Sequence, residues 1–181
     1  MDVTTAHQSA SRLLEGMPTR LAHVRAAGEK AGATARQLCP DEEALLTCAG
    51  VLHDIGYSPA LALTGFHPLD GARWLRDLGE ERLACLAAHH SGARWEAGVR
   101  GLRDQLAEFT RERSLVSDIL AYADMTTGPN GDLIGIDERI ADIRRRYPAG
   151  DPVAIAIWQA EPSLRRTVAR VDALLAEPVL S

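Results

Sequence analysis

Apolar positions along this chain recur at steps of three and four, not two. Leu21, Val24, Gly28, Ala31, Ala35 and Leu38 mark one face of a helix over 18–38, opened by Pro18, a residue that a first helical turn tolerates. The stretch "CPDEEALLTCAGVLHDIG" predicts a second helix, with Asp41 as its cap, Glu42 and Glu43 at its positive end and Gly56 as its stop. "SPALALTG" predicts a turn or two of helix. Further helices are expected over 68–78, closed by Gly79, and over 80–89, closed by Gly92. The segment 94–113 reads as a less regular helix broken by Gly98 and Gly101. "SLVSDILAYADM" predicts a helix capped by Ser114, with Asp124 at its end, running into the loop "TTGPNGDLIG". "IDERIADIRRRYP" predicts a helix with an ordinary charged face, and "DPVAIAIWQAEPSLRRTVARVDALLAEP" one long or kinked helix, with Pro162 as the place for a kink. No segment alternates with turn punctuation, so no sheet is needed. The expected fold is all-α: a single domain over 1–181, with its core over about 18–147 and a C-terminal helical extension over 151–178. The first eight or so residues are expected to be disordered.

Composition agrees with helices and narrows function. Hydrophobic residues make up 46% of the chain, but aromatics only 4%, so Ala, Leu, Val and Ile carry the core. The formal charge of −5, with no basic run beyond Arg144-Arg145-Arg146, argues against binding duplex nucleic acid. Cys39, Cys48 and Cys85 are irregularly spaced and odd in number, which suits small buried hydrophobes and not a disulfide framework. No basic start leads into an apolar stretch at the N-terminus, and no window reaches the length of a membrane span. A soluble, cytoplasmic protein without membrane partners is expected, its oligomeric state unspecified.

The candidate chemistry sits at helix ends. His23, the doublet His53-Asp54, and Asp124 each interrupt or terminate an apolar helix, and His67, His89 and His90 lie at other helix boundaries. Successive residues on a helix point roughly 100° apart, so His53 and Asp54 meet only by reaching round from two sides. The free carbonyls at a helix C-terminus favour a cation there. Any one of these residues alone is explained by a cap or a core hydrogen bond. Burying all of them unpaired would cost several kcal/mol, and a shared cation removes that cost.

The order His23, His53-Asp54, Asp124, with "HDIG" and "AYAD", resembles the HD-domain superfamily of metal-dependent phosphohydrolases over about residues 18–145. The resemblance implies a compact helical bundle in which His23, His53, Asp54 and Asp124 hold a first metal, His53 and Asp54 forming the catalytic doublet. It implies a second metal on His67 and His89, with Asp54 bridging. His90 is either a ligand or a substrate contact, and the choice between His89 and His90 stays open. Such donors suit a divalent transition metal, iron or manganese first, with zinc, cobalt and nickel as alternatives, over magnesium or calcium. The implied activity is hydrolysis of a phosphoester, a small nucleotide or related phosphate compound, by a metal-activated water at a mono- or binuclear site. No P-loop or Gly-x-Ser-x-Gly elbow competes with that reading. Tyr57 stands where many relatives carry lysine, and "HHSGARWEAG" lacks the Gly-Tyr-Pro motif of the cyclic dinucleotide phosphodiesterases. Arg73 and Arg94, close in sequence to His67 and His90, are the expected substrate contacts, because a guanidinium binds two phosphate oxygens at once. Two other readings are an HD-type mixed-valent di-iron oxygenase, with the same ligand order, and a non-catalytic metal-binding or ligand-sensing module with closed coordination.

Overall fold

The computed structural model describes residues 1–177, and its elements are all helical apart from one isolated bridge between Thr127 and Leu133. In chain order they are α1 (Val3–Leu13), α2 (Pro18–Leu38), α3 (Glu43–Leu52), α4 (His67–Asp77), α5 (Glu81–His89), α6 (Ala93–Arg100), α7 (Arg103–Leu106), α8 (Leu115–Met125), α9 (Ile136–Arg146) and α10 (Pro152–Ala176). The all-α expectation is met. Among the described residues no helix is long and apolar enough to cross a membrane.

Helices α2 and α3 form the centre, and a lack of side chains lets them touch. A Cβ built on Gly50 of α3 would lie 2.7 Å from the Cα of Gly28 on α2, so the two backbones are in direct contact. Around this pair Leu46, Val51, Leu52, Leu69, Leu75, Ile119 and Leu120 are essentially inaccessible to solvent. A second apolar cluster joins Tyr122 and Met125 of α8 to Ile140 and Ile143 of α9 and Ile157, Leu164 and Val168 of α10. Through it the C-terminal helices close over the end of α8. Fully burying one Leu or Ile contributes roughly 1.5–3 kcal/mol, so these two clusters hold the helix ends in register.

Several local expectations are corrected. The first residues are ordered: Asp2 caps α1 by accepting from the N–H of Thr5 at 2.9 Å, and Ala6, Ala10 and Leu14 are fully buried. Asp41 makes no cap; a 3-10 turn, Pro40–Glu42, leads into α3 instead. "SPALALTG" forms bends and no helix, because the buried Asp70 carboxylate accepts from the N–H groups of Leu63, Thr64 and Gly65 at 3.0–3.2 Å and holds that loop open. The irregular segment 94–113 splits at Gly101, whose φ of +71° ends α6, and is non-helical beyond Ala107. Of the two forms expected for the C-terminal segment, it takes the long one: α10 runs through Pro162, which is exposed. The charged face expected of α9 is real only in part, since Arg139 and Asp142 are buried. Ser114 caps α8 as expected, in a reciprocal capping box with Ser117. Residue 178, where the expected extension ends, lies outside the described residues.

Candidate metal centre

The doublet is positioned by a helix that stops between its two members. His53 is the C-terminal cap of α3 with helical φ and ψ, whereas Asp54 turns to φ −106°, ψ 7° and starts the 3-10 turn Ile55–Tyr57. That break overcomes the 100° separation of neighbours. His53 Nε2 comes within 3.6 Å of Asp54 Oδ1 and 3.8 Å of Asp124 Oδ1.

Three imidazoles are oriented by the same device. His53 Nδ1 donates to the carbonyl of Gly50 at 2.8 Å, and His90 Nδ1 to that of Ala87 at 2.6 Å, each using a carbonyl three residues back that a helix C-terminus leaves free. His23 Nδ1 donates to the Gly128 carbonyl at 3.1 Å. A carbonyl only accepts, so each Nδ1 carries the proton, and in neutral imidazole each Nε2 presents a lone pair. Two of those lone pairs face carboxylates, His23 Nε2 lying 3.1 Å from Asp124 Oδ1 and His90 Nε2 3.5 Å from Asp54 Oδ1, and His67 Nε2 also lies 3.1 Å from Asp54 Oδ1. Acceptors held this close require protons or a cation between them.

The electrostatics favour the cation. Burial pushes the His53 pKa down to about 4, so its imidazole is neutral at physiological pH, and its buried Nε2 has no hydrogen-bond partner. Burial likewise lowers His67. Burial works against ionising Asp54 and Asp124, yet Arg20 and His53 beside the first, and His23, His53 and Arg139 beside the second, hold both well below the usual carboxylate range. For His90 burial opposes protonation, but the Asp54 carboxylate outweighs it and raises the imidazole above its ordinary value. Three donor sets lie close enough to share an ion: His23, His53 and Asp54; His53, His90 and Asp124; and Asp54, His67 and His90. The orphaned Nε2 of His53, the oriented lone pairs and the two ionised carboxylates fit a divalent cation, with backbone carbonyls on Nδ1 fixing the imidazoles of His23, His53 and His90.

Of the residues singled out from the sequence, His23, His53, Asp54, His67, His90 and Asp124 come together, while His89, Arg73 and Arg94 do not. His89, 100° round α5 from His90, donates from Nε2 to the Phe109 carbonyl at 2.7 Å. Of the two positions the sequence left open, the structure places His90, and not His89, in the cluster around Asp54. Arg73 donates to Gln105 Oε1 at 2.9 Å, and Arg94 stacks over Trp95 with Cζ 4.3 Å from the ring centroid, beside His89 and Arg103 in a separate surface cavity. Neither lines the chamber bounded by Asp54, His67, His90 and Asp124. Thr126 and Thr127 bond back to carbonyls of α8, as turn residues do.

Other residues take up that chamber. Arg20 forms an ion pair with Asp54, and its Cζ lies 3.9 Å from the Tyr57 ring centroid, while His67 stacks on Tyr57 with ring centroids 3.9 Å apart. Arg20 thus supplies a cation beside Tyr57. Arg139 Nη2 donates to Asp124 Oδ1 at 3.1 Å. Glu96, Arg146 and Tyr147 also line the chamber. A signal existed for Arg20, which precedes His23 by one helical turn. None existed for Arg139 and Arg146, which arrive from a separate helix.

A buried cluster of histidines and aspartates at the ends of helices, oriented for a divalent cation, defines a metal centre of an all-α protein. The HD-domain family model matches residues 20–127, more than half of the chain, and the protein belongs to that superfamily of metal-dependent phosphohydrolases. Neither the curated proteins nor the solved structures contain a significant match to it. Helices α9 and α10 lie beyond the matched residues.

Proposed function

We propose that the protein hydrolyses the phosphoester bond of a small phosphorylated substrate at this centre. The observation that carries the reading is the meeting of an ion-ready His/Asp cluster with three arginines, Arg20, Arg139 and Arg146, on the walls of one chamber of about 90 Å³. One side suits cations and the other a phosphoryl group. His23, His53, Asp54 and Asp124 would hold one ion and Asp54, His67 and His90 a second, with Asp54 shared; iron and manganese suit this mixed donor set best. When bound, such ions acidify water and draw charge from phosphoryl oxygens.

The protein's own groups do the positioning. His53, neutral through burial, keeps its Nε2 free of protons at the pH of catalysis. Arg20, with its Cζ 3.9 Å from the Tyr57 ring centroid, is placed to bind phosphate oxygens through its planar fork. Tyr57, whose hydroxyl burial and the nearby Asp54 charge keep well above its ordinary pKa, stays neutral and orients Arg20 and His67 without adding charge. Ile143, Val153, Ala156 and Ile157 form an apolar side of the chamber that restricts water.

The test is phosphate release from a panel of phosphomonoesters and nucleotides with manganese or iron added, beside metal content by elemental analysis. Turnover of at least one phosphoester, lost together with bound metal in His53→Ala, is expected. A metal-loaded protein that cleaves nothing in the panel overturns the hydrolase reading.

A further inference from the structure

Behind the arginines of the metal chamber lies a second and larger cavity of about 350 Å³, lined by Gly16, Met17, Pro18, Thr19, Arg20, His23, Pro129, Arg139 and Arg146. Arg20, Arg139 and Arg146 line both spaces, so a wall of three guanidinium groups separates them. No carboxylate is among the lining residues of the second cavity. Arg139 is 95% buried by a relative exposure of 5%, and its Nε–H has no partner. A buried guanidinium N–H left unsatisfied is costly, and it marks a place where an acceptor belongs. Helix α2 begins at the same cavity: Met17 gives it no side-chain cap, Pro18 has no N–H, and no hydrogen bond from the N–H of Thr19 or Arg20 is found among the described residues. Free N–H groups at the start of a long helix add to the attraction for an anion.

Charge balance points the same way. Arg20 is paired with Asp54, Arg139 with Asp124 and, at 4.0 Å, with Asp142, and Arg146 with that same Asp142. Two of those carboxylates belong to the metal centre, so a divalent cation there leaves the arginine wall with an excess of positive charge facing the second cavity. Size decides what that charge is for. By the same measure the second cavity, at about 350 Å³, is larger than the metal chamber, at about 90 Å³, and has room for a separately anchored anionic group.

We propose that the second cavity is a subsite for a second phosphate, and that the substrate is a bisphosphorylated small molecule with one phosphate in the metal chamber and the other across the arginine wall. This rests on the hydrolase reading for the first phosphate only; the subsite itself is read by binding. Thr19 is exposed and lines the second cavity alone, and glutamate is well tolerated in the first turn of a helix, so Thr19→Glu places a repelling charge in the subsite without disturbing the fold. Calorimetric titration of the metal-loaded protein with propanediol to hexanediol bisphosphates, against butyl phosphate, measures the preference directly. At least one bisphosphate is expected to bind about tenfold or more tightly than the monoester. Thr19→Glu should abolish that preference while leaving butyl phosphate unaffected, and Thr19→Gln should keep it. Equal binding of mono- and bisphosphates, or a preference that Thr19→Glu does not touch, overturns the subsite. Preferential binding without phosphate release would instead retain the subsite and remove the hydrolase.

Discussion

Replacing Gly56 with alanine tests whether the doublet depends on direct contact between backbones. A Cβ built there falls 2.0 Å from the carbonyl oxygen of His67 and 2.6 Å from the amide nitrogen of Gly71. Both are backbone atoms, so no side chain can swing aside. Carbon and oxygen sit comfortably at about 3.5 Å, and the start of α4 must therefore retreat by about 1.5 Å. That retreat carries His67 away from Asp54, from which its Nε2 is now 3.1 Å distant. Overpacking of a rigid site costs about 1–3 kcal/mol, and the upper end applies where the opposing atoms are main chain. For a chain of this size about 3 kcal/mol corresponds to a fall in Tm of roughly 6–12 °C. Differential scanning calorimetry of the metal-free protein reads the stability, and elemental analysis after dialysis reads the metal. Gly135→Ser is the control, because a Cβ there meets nothing within 4 Å and serine is a good cap for α9. Gly56→Ala with an unchanged Tm and full metal content would refute the claim that this glycine is required by the approach of α4.

The two adjacent histidines should separate cleanly. His90→Gln is expected to lose bound metal, whereas His89→Gln should keep its full complement and lose only about 1 kcal/mol with the Phe109 bond, measured by elemental analysis and urea denaturation. Arg139→Met removes the partner of Asp124 and one guanidinium from the wall; KM for a phosphoester substrate is expected to rise about tenfold or more, and an unchanged KM would count against a substrate contact. Acid should destabilise the metal-free protein in a defined window. Burial lowers His53 from 6.5 to about 4 and also lowers His67, so between those values the unfolded chain binds protons that the native state does not, and stability falls as pH falls. His90, raised by Asp54, opposes this in part, and the depressed Asp54 and Asp124 extend the loss to lower pH. A urea midpoint lower at about pH 5 than at about pH 7.5 is the expected result, and an equal or higher one would refute it.

The sequence by itself determined the helices and most of the donors. Apolar steps of three and four place Val24, Ala31 and Ala35 on one buried face of α2, and such periodicity is local, so it survives without knowledge of any partner. His23, His53, Asp54 and Asp124 were legible because polar residues at the ends of apolar helices are expensive unless they share a task. Tertiary structure decided which face each residue turns to. His89 and His90 differ by one position and 100°, and only the packing of α5 against the Phe109 segment and the doublet sends one outward and the other to Asp54. Arg73 and Arg94 are near the histidines in sequence but held elsewhere by Gln105 and Trp95, while Arg139 and Arg146 reach the chamber from α9, remote in the chain. Spacing fixes direction within one helix. Convergence between helices is set by their crossing, which here depends on backbone contacts at Gly28, Gly50 and Gly56 that no periodicity encodes.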